Sequence, residues 1–202
     1  RSTNFSYVLG SEGVEKFVAT PELYSDNSVT GDPLPAGQVW TLSPGGYGSG
    51  NEEENPGLFR IEANEGPGSG VKILNKPAPK PFQESVKCAE QNLYTHATDL
   101  VGEREPRQHE FNIQLRAYDA AKSGTEVSVA VALALCSSLL DRPIRGGLVA
   151  VGMVNLGGSL ETVNGAVNIA ELAVEKGARK LLIPVAARHQ LMDMPDDLAT
   201  RI

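Results

Sequence analysis

Lys122-Ser123-Gly124-Thr125-Glu126-Val127-Ser128 gathers an amine, hydroxyls and a carboxylate into one short stretch. The apolar, Ala-rich run over 125–140 predicts a helix buried on most sides. A helix start presents unpaired N–H groups and positive dipole character, a good setting for a nucleophile. A Lys beside a Ser suggests a dyad of Ser123 and Lys122, the neutral amine taking the hydroxyl proton. The structural alternative makes Ser123 or Thr125 the helix cap and turns Lys122 to solvent. Neighbours in sequence rarely aim side chains at each other, and an exposed Lys is charged and a poor base.

Other chemistry-bearing residues are scattered. Gly45-Gly46-Tyr47-Gly48-Ser49-Gly50 and Gly66-Pro67-Gly68-Ser69-Gly70 do not sit between a strand and a helix start, as a phosphate cradle requires. Hairpin turns explain both, since Gly adopts positive φ freely. No G-x-x-x-x-G-K-[ST] occurs, so no P-loop holds ATP here. His96, His109 and His189 show no metal-ligand spacing, and Cys88 and Cys136 read as buried thiols of a reducing compartment. Glu52-Glu53-Glu54 reads as a solvated acidic loop, with engagement of a basic partner as the alternative. Neither a cofactor nor a metal site is predicted in this domain.

The elements that position these residues follow from periodicity. Gln38-Val39-Trp40-Thr41-Leu42 and Leu58-Phe59-Arg60-Ile61-Glu62-Ala63 read as strands of a long-looped hairpin. Val71-Lys72-Ile73-Leu74 is a third strand candidate, and residues 81–100 are helical, with Val86, Ala89, Leu93 and Ala97 on one face. Phe111-Asn112-Ile113-Gln114-Leu115 alternates as a strand; residues 148–156 read as a buried strand, 162–175 as a helix stopped by Gly177, 180–184 as a strand and 186–192 as a short helix. The order predicts an α/β fold with helices packed on a mixed sheet. Residues 1–36 read as an irregular linker or extension, with a helical turn expected over 14–18.

The whole chain has 202 residues and a formal charge of −7. The first 70 residues hold 10 acids and 3 bases, the remainder 15 of each. Duplex binding is dominated by phosphate neutralisation, so a chain without basic excess disfavours direct nucleic-acid binding. No stretch approaches the ~20 apolar residues that span a bilayer. The start at Arg1 and the stop at Ile202 suggest a piece of a longer polypeptide.

From about Gly37 to Ile202 the sequence resembles the proteolytic domain of Lon-type ATP-dependent proteases. Gly57-Leu58-Phe59-Arg60-Ile61-Glu62-Ala63, Gly66-Pro67-Gly68-Ser69-Gly70-Val71-Lys72-Ile73-Leu74 and Glu84-Ser85-Val86-Lys87-Cys88-Ala89 carry the likeness early on. Arg142-Pro143-Ile144-Arg145-Gly146-Gly147-Leu148-Val149-Ala150-Val151-Gly152 and Gly177-Ala178-Arg179-Lys180-Leu181-Leu182-Ile183-Pro184 carry it later. The family's G-P-S-A-G pattern falls on Gly124-Thr125-Glu126-Val127-Ser128, so the nucleophile position is Glu126. Its G-G-x-x-x-K pattern falls on Asn164-Gly165-Ala166-Val167-Asn168-Ile169, so the lysine position is Ile169. Lys176 lies two helical turns on, about 10.5 Å along the axis, beyond hydrogen-bond reach.

The resemblance therefore implies a Lon proteolytic-domain-like fold over 37–202 in which peptidase activity is lost. Removing a nucleophile or its base costs on the order of 10⁴–10⁶ in turnover. A closer likeness, in Pro35-Ala36-Gly37-Gln38-Val39-Trp40-Thr41-Leu42 and Asn155-Leu156-Gly157-Gly158-Ser159, is to Lon-like proteins of bacterial BREX phage-defence systems. That likeness implies a cytoplasmic protein with an upstream AAA+ module that holds ATP and Mg. It also implies a homo-oligomeric ring, a hexamer by family expectation, acting on DNA through other domains with no membrane role. The reading is then an inactive assembly or scaffold domain; the alternative is an active serine peptidase using Ser123 and Lys122.

Overall fold

The computed structural model describes residues 5–10, 13–19, 28–43, 46–47, 53–54, 56–74, 76–118 and 127–202. The alternating and β-branched stretches form the expected strands. β1 (Phe5–Gly10) and β2 (Gly13–Ala19) precede β3 (Gln38–Ser43), β4 (Gly46–Tyr47), β5 (Glu53–Glu54), β6 (Gly57–Pro67) and β7 (Gly70–Ile73). Two helices, α1 (Lys80–Thr95) and α2 (Ala97–Val101), lead to β8 (His109–Ala117) and α3 (Ser128–Leu140). Then come β9 (Leu148–Ala150), β10 (Met153–Val154), β11 (Leu160–Glu161), α4 (Ala166–Glu175), β12 (Lys180–Leu182), α5 (Arg188–Leu191) and α6 (Asp196–Ala199).

Six strands make one mixed sheet in the order β12-β9-β3-β6-β8-β7. The pairs β12–β9, β9–β3 and β8–β7 are parallel, whereas β3–β6 and β6–β8 are antiparallel. The α/β class and mixed sheet agree with the sequence reading. Period-two alternation sends odd and even positions to opposite faces. Val39, Ile61, Ala63, Phe111 and Ile113 join α1 and α3 in one apolar cluster. Trp40, Leu42 and Leu58 join Val149, Val151 and α4 in the other. The second face turns polar where α4 no longer covers it. Arg60 there lies 5.4 Å from the Trp40 ring centre and 5.2 Å from that of Tyr118, and pairs with Glu62 at 2.6 Å.

Several expectations need correction. The N-terminal extension is not wholly irregular: β1 and β2 pair antiparallel, and the stretch expected as a helical turn is strand. The i, i+3, i+4 spacing of Val14, Phe17 and Val18 suggests a helix, but these β-branched and aromatic types favour extended backbone once a ladder partner is present. The Gly66–Gly70 cluster is not a hairpin turn, because β6 and β7 flank β8 on its two sides. It crosses the start of β8 so closely that a Cβ at Gly68 would lie 2.8 Å from Glu110 Cβ. The strand expected over 148–156 breaks at Gly152, which takes φ 142° beneath Pro184.

Helix α4 starts at Ala166 instead of Thr162. Gly165 adopts φ 69°, and Gln190 caps the entrance by accepting from Ala166 N at 3.0 Å and donating to Val163 O at 2.6 Å. The two thiols are partly exposed rather than buried. Each lies on a helix margin, Cys88 on α1 and Cys136 on α3. No helix among the described residues is long and apolar enough to cross a membrane.

Candidate functional site

Helix α3 runs antiparallel to β3, with Gly37 beside Ser137 at one end and the exit from β9 beside Ser128 at the other. Its first turn is tied to the segment from Gly152 into β10. Val129 N donates to Gly152 O at 3.2 Å, and Ser128 Oγ accepts from Val154 N at 2.8 Å. The first contact satisfies an N–H that a helix start otherwise leaves unpaired. Thr41 shares the β3 face of Val39 and is fully buried, yet its Oγ1 has no hydrogen-bond partner among the described residues. Burying a hydroxyl without a partner is costly.

Residue 169, the position at which the sequence resemblance leads one to expect a lysine, is hydrocarbon. Ile169 is 1% exposed and belongs to the apolar cluster with Val149, Val151, Val163, Ala166 and Ala173. Nothing at this side chain can accept or hold a proton. Lys176 follows Glu175, the last residue of α4; its amide donates to Leu172 O, two turns from Ile169. Lys122, Ser123, Thr125 and Glu126 lie outside the described residues. The structure thus places Ile169 in the core; of the other dyad candidates it describes Lys176 alone, beyond the end of α4.

The two thiols are shifted away from the reactive form. Burial pushes the Cys88 thiol up, with the Glu161 charge adding to the rise and a hydrogen bond from Asn92 opposing it. Burial alone pushes Cys136 up to about 11. Since the thiolate is the reactive form, both are weak nucleophiles at neutral pH. Among the described residues no three His, Cys, Asp or Glu side chains cluster as a cation site.

A polar bolt beside this region was not legible as a site in the sequence. Cys88 Sγ donates to Val154 O at 2.8 Å, while Asn92 Nδ2 donates to Asn155 O at 2.8 Å and to Cys88 O at 2.9 Å. With Ser128 they pin the β10–β11 hairpin to α1 and α3. The one available signal was Asn92 itself, a polar residue next to Leu93 on the buried face of an amphipathic helix.

A family model described as subunit ChlI of Mg-chelatase matches residues 83–187. Curated relatives include the Lon-like protease BrxL of Bacillus cereus (strain H3081.97), 21% identical over 96% of this chain and 28% of its own length. BrxL of Escherichia coli O9:H4 (strain HS) is 24% identical over 98% of this chain and 28% of its own length. The Lon protease of Phenylobacterium zucineum (strain HLK1) is 29% identical over 96% of this chain and 22% of its own length. The chain therefore spans under a third of the length of these relatives. The matched stretch runs from α1 past β12 and takes in just over half of the 202 residues, so the chain belongs to the family described as subunit ChlI of Mg-chelatase, as a Lon-type domain similar to that of BrxL.

Proposed function

We propose that this chain is a proteolytically silent Lon-like domain that serves as an assembly element of a longer ATPase in bacterial phage defence of the BREX type. The observation that carries the reading is Ile169, packed among aliphatic side chains at the position where the Lon-type pattern calls for a lysine. A Ser–Lys mechanism needs an amine within hydrogen-bond distance of the hydroxyl. Glu126 at the nucleophile position removes the other half of the pair. The likeness to BrxL over nearly the whole chain supports the BREX assignment. On this reading an upstream AAA+ module holds ATP and Mg, the assembly is a cytoplasmic homo-oligomeric ring, and DNA is engaged by other parts of the protein.

The test is an assay of the full-length protein with ATP and an unfolded substrate such as casein. No cleavage above background is expected. Cleavage that disappears in Glu126→Ala overturns the silent reading.

A second reading keeps peptidase activity, with Ser123 as nucleophile and Lys122 as base. It is favoured by the relatives, whose names are those of proteases. Here Ser123→Ala abolishes cleavage and Glu126→Ala does not.

A further inference from the structure

We propose that residues 28–36 form a docked strap that couples the chain before it to helix α4, the helix carrying Ile169. The inference does not depend on whether the domain cleaves peptides. The path of the segment is unexpected for a lead-in to β3. It does not run freely to Gln38; it first passes the connection from α4 to β12 and the loop before β9.

Three contacts hold it there. Val29 is buried in the same apolar cluster as Ile169, and its N–H donates to Lys176 O at 3.0 Å. That carbonyl lies just beyond the end of α4, among those a helix leaves without an internal donor. Gly31 lies against Arg179, so closely that a Cβ there would be 2.7 Å from Nη1. Gly146, in the connection from α3 to β9, approaches the strap backbone to backbone; a Cβ on it would lie 2.0 Å from Gly31 O. Leu34 adds a partly buried contact to the same cluster.

The strap itself is thin. Thr30, Gly31, Asp32 and Pro33 are exposed, so little besides these contacts and that of Leu34 holds it. It therefore belongs to the weaker part of the fold, where local opening precedes global unfolding. Its contacts converge on one unit: the end of α4, the turn into β12 and the Gly146 loop. A pull on residues before Val29 reaches Lys176 before it reaches β3.

Backbone amide exchange on this chain tests the coupling, comparing the unmodified protein with Gly146→Val and Val29→Ser. The first variant places a side chain where Gly31 O stands, and the second removes the apolar anchor. The expected result is exchange at least ~10-fold faster at the Val29, Lys176, Ala178 and Arg179 amides, while amides of β6 and β8 change less than ~2-fold. The proposal is overturned by an unprotected Val29 amide in the unmodified chain. It is also overturned if Val29 opens without Lys176 and Ala178, or if neither variant changes Val29. Should Gly146→Val unfold the whole domain, Val29→Ser decides; uniform acceleration in that variant overturns the strap as a separable unit.

Discussion

The amide of Gly37 donates to Ser137 Oγ at 2.9 Å across 100 positions of sequence. The same hydroxyl donates to Arg142 O, so one side chain on α3 holds both the entry to β3 and the turn after its own helix. Gly37 also gives its carbonyl to Ala63 N at 2.8 Å. Its φ of 85° and the 2.0 Å that would separate an added Cβ from Ala63 O leave glycine as the residue that fits.

Ser137→Ala strands the buried Gly37 N–H. A loss of about 1–3 kcal/mol is expected, read as a lower urea midpoint at unchanged slope. A loss under about 0.5 kcal/mol contradicts the role given to this hydroxyl.

Ile169 is tested by graded truncation. Ile169→Val should cost about 0.5–1.5 kcal/mol and Ile169→Ala about 2–5 kcal/mol, because the surrounding aliphatic cluster relaxes only in part. Chemical denaturation of the three proteins checks the series. A flat series means that the residue is not packed as found.

Glu62 gives a pH signature in acid. Burial by itself raises its pKa, but hydrogen bonds from Gln114 and Arg60 and the charges of Arg60 and Arg116 outweigh it and hold the carboxyl below its ordinary 4.5. The unfolded chain then takes up this proton first as pH falls. The stabilisation is complete above about pH 4.5 and disappears as pH drops through the lower folded value. Denaturation midpoints from pH 6 downward, an interval of about three pH units, should fall less steeply in Glu62→Gln than in the unmodified chain. Equal slopes refute the assignment.

The polar bolt predicts a local effect. Asn92→Ala removes the donor to Asn155 O and should cost about 1–3 kcal/mol. It should also speed exchange of the Asn155 and Gly158 amides more than that of β8. Equal effects at both places would mean that Asn92 supports the core in general, not the hairpin.

Thiol labelling separates the two cysteines from ordinary ones. With its pKa pushed from 9.0 to about 11, Cys136 at pH 8 holds roughly a hundredth of the usual thiolate. Iodoacetamide should modify it slowly in the folded chain and at the ordinary rate in denaturant. Fast labelling of the folded protein at Cys136 counts against the raised pKa.

Hydropathy periodicity alone determined the class of this domain and most of its elements. Alternation in Leu58–Ala63 and Phe111–Leu115 and the three-to-four spacing of Val86, Ala89 and Leu93 are local signals, set by where side chains point from a strand or a helix. That position 169, where the proposed reading expects a lysine, carries Ile was equally legible, since it rests on residue identity in a pattern. What tertiary structure decided was every relation across the sheet. Gly66–Gly70 looked like a hairpin turn because glycine content reports backbone freedom, not which strand lies beside which. Helix α4 began a turn later than its pattern suggested because its cap, Gln190, comes from 24 positions onward. Val29 read as linker because one apolar residue between polar ones has no period; only the apolar cluster it enters, with its amide on Lys176 O, makes it core. Local sequence carries local preferences, whereas burial is a property of the partners the fold brings together.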